Sequence, residues 1–209
     1  MQEIGLFPLP LVLLPTERIP LHIFEERYKE LIGECIEQEE AFGLVLATGD
    51  GAVHDVGTRA RVEQVLEVLD DGAMNIVVEG VDRFRLLELT KGRSFTTCLV
   101  EPLADQDDPV RTADATKARD LFRALAEATG SEVELPDAGE TWLDFRLAAH
   151  IDFGIEAKQE LLSSTSPRHR MARLTELLEL ALEATKLQKT LHDRAAGNGK
   201  VSPLDAEGN

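Results

Sequence analysis

A serine that attacks a carbonyl needs a strained elbow of the GxSxG kind or a lysine base beside it. Neither Ser94 nor the cluster Ser163-Ser164-Thr165-Ser166 stands in such a setting. The cluster precedes Pro167, which gives it the residue types of a helix N-cap followed by a first-turn proline. The five histidines, His22, His54, His150, His169 and His192, show no HExxH pattern and no paired Cys and His spacing. A zinc site would have to be assembled from distant segments. The acid pairs Asp70-Asp71 and Asp107-Asp108 fall in turn-forming sequence, where carboxylates are normally solvated and do not act as general acid and base. A nucleotide cradle of the form GxxxxGK[ST] is approached only at Gly197-Asn198-Gly199-Lys200-Val201. There Arg194 replaces the first glycine, Val201 replaces the metal-binding hydroxyl, and no strand precedes it. No catalytic residue, cofactor or metal is expected.

The side chains left over are suited to holding something. The run Pro20-Leu21-His22-Ile23-Phe24-Glu25-Glu26-Arg27-Tyr28 gathers Phe24 and Tyr28, the basic Arg27 and the two acids Glu25 and Glu26 within nine positions. In one reading Phe24 and Tyr28 offer aromatic surface to a bound segment while Arg27 or Glu25 satisfies its backbone. In the other, favoured reading, Phe24 and Tyr28 face the core at i and i+4 of one helix, and Arg27 pairs internally with a carboxylate. Arg83, beside Phe84, has the same two readings. Phe7, Pro8, Pro20, Leu21, His22, Phe24, Glu25, Arg27, Tyr28, Arg83 and Phe84 are therefore the candidate polypeptide-binding or motif residues.

These side chains must be positioned by a scaffold, and the sequence predicts two kinds. Residues 1–104 carry short apolar runs punctuated by Gly, Pro and Asp, the pattern of many brief strands. Asp70-Asp71-Gly72, between Val65–Leu69 and the alternating Met74, Ile76 and Val78, predicts a hairpin, since glycine supplies the positive φ of a tight turn. Further strands are expected within Ile4–Leu14, at Phe42–Leu46, at Phe84–Leu89 and at Thr96–Val100. One helix from Phe24, with Tyr28, Leu31, Ile32, Cys35 and Ile36 on its apolar face, interrupts them. Asp105–Pro109 is acidic and turn-forming and reads as a linker. Residues 110–193 then read as helical: Ala113–Ala128 stopped by Gly130, Thr141–His150, Ile155–Leu162, and a long helix whose stripe Met171, Leu174, Leu177, Leu178, Ala181, Leu182 continues toward Leu191. Residues 194–209 are too polar to bury much surface and are expected to be disordered.

Composition narrows the partners. A formal net charge of -17 without a basic cluster argues against nucleic acid. No run approaches the eighteen or so unbroken apolar residues that a membrane-spanning helix requires, so no membrane partner is expected. The two cysteines lie among apolar neighbours in a sequence without a secretory signal, which predicts buried reduced thiols and a cytoplasmic location.

The order of motifs also carries a resemblance. Leu6-Phe7-Pro8-Leu9, Leu13-Leu14-Pro15 and Pro20 to Tyr28 resemble the opening of LON domains, the N-terminal substrate-recognising domains of Lon proteases. Phe42-Gly43-Leu44-Val45, Val56-Gly57-Thr58 and Gly80-Val81-Asp82-Arg83-Phe84 resemble later segments of that family. Lys158-Gln159-Glu160-Leu161-Leu162 and Arg170-Met171 resemble its helical half, with Met171 standing where leucine is usual. The resemblance implies an α+β fold: an N-terminal PUA-like β pseudobarrel with one inserted helix, followed by a C-terminal helical bundle ending in a long helix. It implies a module that binds unfolded or signal-bearing polypeptides for an ATP-dependent protease, with exposed apolar segments of clients held in the cleft between barrel and bundle. Similar domains occur in cereblon-type ubiquitin-ligase receptors and as stand-alone bacterial proteins. The rival reading is a peptidase or hydrolase with an unrecognised active site.

Overall fold

The structure is a computed structural model that describes residues 1–49 and 51–198. Six strands, β1 (Gln2–Leu9), β2 (Arg18–Ile23), β3 (Phe42–Leu46), β4 (Val56–Val68), β5 (Met74–Thr90) and β6 (Thr97–Pro102), precede four of five helices. Helix α1 (Glu26–Gln38) lies between β2 and β3, and α2 (Thr112–Thr129), α3 (Leu143–Ala148), α4 (Ile155–Ser163) and α5 (Pro167–Asn198) follow. The sheet order is β2-β5-β4-β3-β1-β6, and β5 also pairs with β6. The path β5-β4-β3-β1-β6 therefore closes on itself, while β2 forms an outer edge. Only β1 and β3 run parallel; the other ladders are antiparallel.

The expected hairpin forms around Gly72, which adopts φ +79. Leu69 and Ala73 close it, and the Asp71 carboxylate accepts from the Ala73 amide at 3.0 Å. The runs expected as separate strands at Met74–Val78 and Phe84–Leu89 merge into one strand of 17 residues. Its first half pairs with β2 and its second with β6. They merge because Gly80 sits where the segment after β1 crosses the strand. Thr16 donates to the Gly80 carbonyl at 2.8 Å and Gly80 to that of Glu17 at 2.9 Å.

Helix α1 starts at Glu26, not Phe24. The chain is still extended at Glu25, with φ -74 and ψ 133, so strand alternation sends Ile23 inward and leaves His22 and Phe24 outside. Tyr28, Leu31, Ile32 and Cys35 are buried as the apolar stripe predicts, and Ile36 lies exposed at its margin. Both cysteines are free and buried. Burial, with Glu40 and Glu34 nearby, pushes the Cys35 thiol up to about 11; burial, with Glu3, pushes Cys98 up to about 12.

One apolar cluster holds the helices together and reaches into the β-rich part through Val12, Leu14, Leu46 and Val56. The expected linker is itself pinned onto the start of α5: Gln106 donates to the Thr165 carbonyl, and Arg168 to that of Asp108. Ser166 caps α5 as its sequence predicts, accepting from the His169 amide at 3.0 Å and donating to Asp108 at 2.6 Å. Ser166→Ala removes both bonds, and thermal unfolding should report a loss of about 1–2 kcal/mol. Helix α3 is shorter than expected because Trp142, at φ +58, marks its start. Helix α5 continues to Asn198, and the rest of the expected tail lies outside the described residues. Among the described residues no helix is long and apolar enough to cross a membrane.

Candidate functional site

The candidate residues divide into three places. Phe7 and Tyr28 are core residues whose ring centroids lie 4.0 Å apart, in the layer between α1 and the sheet. Arg27 lies over the outer face of Tyr28 at 4.5 Å and pairs with Glu25 at 2.7 Å. Packing therefore describes Tyr28 and Arg27. It does not describe Phe24, which is 62% exposed.

Phe24 stacks against His22 at 5.8 Å with an interplanar angle of 23°. His22 Nδ1 donates to Asn75 Oδ1 at 2.7 Å, and Asn75 donates to Glu67 at 2.9 Å, so one polar rung crosses β2, β5 and β4. Beneath it lies a shallow hollow of about 570 Å³ walled by Pro20, Leu21, His22, Leu66 and Asn75. The next rung is apolar. Ile23 pairs with Met74, and Met74 with Val68. Ile23 and Met74 are buried, whereas Val68 is 63% exposed, and Val65, Leu66 and Leu69 also show large apolar surface. Register shifts at Val62/Gln64 and Val65/Glu67 break the alternation of β4, which is how successive apolar residues come to face solvent. Leu66, Val68 and Leu69 were read as ordinary hairpin strand. The available signal was the adjacent apolar pairs Val65-Leu66 and Val68-Leu69 at a hairpin tip, where a half-buried strand alternates. Beside this surface β2 presents the outer edge of the sheet, with Pro20 unable to donate a backbone bond. Pro8 pairs with Val45 inside the sheet, away from this surface.

Arg83 occupies the third place, the junction of the strands with the helices. Its guanidinium donates to the carbonyls of Leu162 at 2.7 Å and Ser164 at 2.6 Å and pairs with Asp105. Asp105 also binds Arg170, at 2.6 and 2.8 Å, and Arg170 Nε reaches Asp144 at 2.7 Å. The Phe145 ring lies 5.2 Å from the Arg83 guanidinium and 4.5 Å from that of Arg170. Burial would raise the Asp105 carboxyl, but the hydrogen bonds and charges of Arg170 and Arg83 outweigh it and hold the carboxyl below its ordinary value. Burial and the nearby Arg170 charge lower Arg83. The apolar side chains Phe24, Leu66 and Val68, by contrast, are exposed and lie beside the end of β2 and in the β4–β5 hairpin. Among the described residues no cluster of three or more metal-ligating side chains appears.

This arrangement of sheet and helices has relatives. Residues 3–179 match the model of the ATP-dependent protease La (LON) substrate-binding domain. The chain belongs to the LON substrate-binding domain family. The Lon protease of Anaeromyxobacter dehalogenans is 28% identical over 94% of this chain, and Lon protease 2 of Myxococcus xanthus is 24% identical over the same share. The chain spans about a quarter of the length of these relatives. Among solved structures, the Lon N-terminal domain protein from Xanthomonas campestris superposes with a TM-score of 0.65 at 30% identity, over 83% of this chain and 97% of that one. The N-terminal domain of Mycobacterium avium complex Lon protease shares the fold, with a TM-score of 0.64 at 14% identity, over 88% of this chain and 98% of that one.

In this LON substrate-binding domain the motif segments meet in the interior. Phe84 is buried over Gly43 and Gly57, where an added Cβ would stand 3.0 and 2.7 Å from the ring. Thr58 donates to the Leu13 carbonyl at 2.5 Å. Glu17 accepts from the Leu14 amide at 2.8 Å and pairs with Lys158, while Gln159 donates to the Val56 carbonyl at 3.2 Å. These motifs tie the crossing segment and α4 to the sheet. The exposed hairpin tip is built from residues outside them, while His22 and Phe24 beside it belong to the Pro20–Tyr28 run.

Proposed function

We propose that this chain is a non-catalytic polypeptide-binding module that holds exposed apolar segments of client proteins against β2, Phe24 and the tip of the β4–β5 hairpin. The observation that carries this reading is the large apolar surface of Phe24, Leu66 and Val68 beside an open sheet edge. Apolar patches on soluble proteins mark interaction sites. An extended segment can add to an edge strand through main-chain bonds while its side chains enter neighbouring hollows. Membership of a substrate-binding domain family supports a polypeptide as the occupant. The closing pairing of β5 with β6 supports a PUA-like pseudobarrel, and the shared apolar cluster of α2–α5 supports a helical bundle. We further assign such clients to an ATP-dependent protease, because the relatives are Lon proteases and this chain corresponds to one part of them.

The test is fluorescence anisotropy with a reduced, alkylated protein that cannot fold. The double variant Leu66→Asp/Val68→Asp should bind at least about tenfold more weakly, since losing burial of even one such side chain removes roughly 1.5 kcal/mol. Its melting temperature should be unchanged because both residues are exposed. Unchanged affinity would place the client elsewhere.

A further inference from the structure

The exposed apolar side chains of the β4–β5 hairpin do not stand alone. From Val65 to Asp71 the chain reads Val-Leu-Glu-Val-Leu-Asp-Asp, so carboxylates are interleaved with the apolar residues of the tip. Glu67, Asp70 and Asp71 are all exposed. Glu67 accepts from Asn75 at 2.9 Å and Asp71 from the Ala73 amide at 3.0 Å, but none of the three forms an ion pair among the described residues. The bases around the surface are already neutralised. Arg18 pairs with Glu63 at 2.8 Å and with Glu79 at 3.5 Å, and Arg61 shares Glu79. Arg27 pairs with Glu25 and Lys29 with Glu26, both at 2.7 Å. Lys29 also reaches the tip, where it donates to the Asp71 carbonyl at 2.8 Å, but its side chain is largely covered. Four bases are thus matched by Glu25, Glu26, Glu63 and Glu79, and the three carboxylates of the tip are left over.

We infer that this surface selects basic clients: apolar segments with Lys or Arg between the apolar residues, chosen by Glu67, Asp70 and Asp71. The inference rests on the proposed client site and adds the chemistry of its occupant. Charge complementarity carries it. An extended segment sends successive side chains to opposite sides, so its apolar residues can meet Phe24, Leu66 and Val68 while its bases meet the unpaired carboxylates. An acidic segment would set carboxylate against carboxylate, and like charges placed together at a contact cost binding. A neutral segment gains burial alone. The formal net charge of -17 acts in the same sense at longer range, by drawing cationic segments toward the chain. Exposed charge pairs are weak one by one, so the selection is graded, and three together amount to about tenfold in affinity.

Three fluorescein-labelled peptides with the same apolar residues, and with Lys, Ser or Glu between them, test this by anisotropy on the full chain. The Lys peptide should bind about tenfold more tightly than the Ser peptide at 0.1 M salt, and the Glu peptide most weakly. At 1 M salt, where the Debye length falls to about 3 Å, the order should collapse toward the Ser value. Glu67→Gln/Asp70→Asn keeps the acceptor that Asn75 uses and removes two of the three charges; it should cut the preference for Lys over Ser to about threefold or less. A preference of full size in that variant would assign it to the overall charge of the chain and overturn the inference. Equal binding of the three peptides, lost in Leu66→Ser/Val68→Ser, would overturn the charge selection and leave the apolar site standing. If none of the three binds, the client site itself is wrong and the inference falls with it.

Discussion

Arg170→Ala should lower the unfolding free energy by about 3–5 kcal/mol, the usual consequence of removing one partner from a buried ion pair. Arg170 is 1% exposed and is the largest fully buried side chain of the protein. It satisfies Asp144 and both oxygens of Asp105, and donates to the Ser164 carbonyl at 2.8 Å. Without it, Asp144 remains buried as a carboxylate that accepts only from the Phe145 amide. Phe145 also loses one of its two guanidinium neighbours. Domains of this size are stable by roughly 5–15 kcal/mol, so urea unfolding should show a clearly lower midpoint or no cooperative transition. Arg170→Lys keeps the charge but not the fork that binds two oxygens of Asp105, and should fall between the wild type and Ala.

The same network predicts a response to acid. Asp105 is held below its ordinary value in the folded protein, so it contributes stability at a pH where an unfolded aspartate, near 3.9, is ionised. That contribution is complete above about pH 5 and is lost as pH falls through the depressed folded value. Asp105→Asn should therefore flatten the acid limb of the stability curve while lowering the plateau above it.

Gly80→Ala should cost about 3 kcal/mol or more. An added Cβ would stand 2.2 Å from the Leu14 carbonyl oxygen, a backbone atom with no side-chain rotation to relieve the clash. Moving that segment away breaks the bonds that join Thr16 and Glu17 to Gly80, and strains the Thr58 bond to Leu13. Overpacking of this kind normally costs 1–3 kcal/mol, and lost backbone bonds add to it. Gly33→Ala makes the same chemical change in α1, where nothing lies within 4 Å of the new atom. There the better helix propensity of alanine should stabilise by about 0.5–1 kcal/mol. Denaturant melts of the two variants should shift in opposite directions; equal shifts would mean that the crossing at Gly80 is not as tight as the structure has it.

The hairpin at Asp70–Gly72, the buried stripe of α1 and the N-cap of α5 were legible because each rests on neighbours in sequence: a glycine at a turn, apolar residues at helical spacing, a serine before a proline. Phe24 was misplaced for a reason of the same scale. Its i, i+4 relation to Tyr28 fits a helix, but the chain remains extended through Glu25, and two-residue alternation governs it instead. Met74–Val78 and Phe84–Leu89 were legible as strands but not as one strand, since continuity through Gly80 depends on a segment more than sixty positions earlier. The family likeness was legible because its motifs keep their order along the chain, whatever they pack against.

Residue order by itself determined most of the elements, because propensity, turn chemistry and apolar period act over a few residues; β2 and the continuity of β5, which rest on pairing with distant strands, were not among them. Which apolar side chains would stay outside was decided only by the tertiary structure. Val68 and Ile76 are alike in chemistry, yet Ile76 is fully buried and Val68 faces water, where register shifts have broken the alternation of β4. Leu178 and Leu187 differ only in whether another helix lies beside them. Burial is a property of the space around a side chain, and that space is filled by residues distant in sequence.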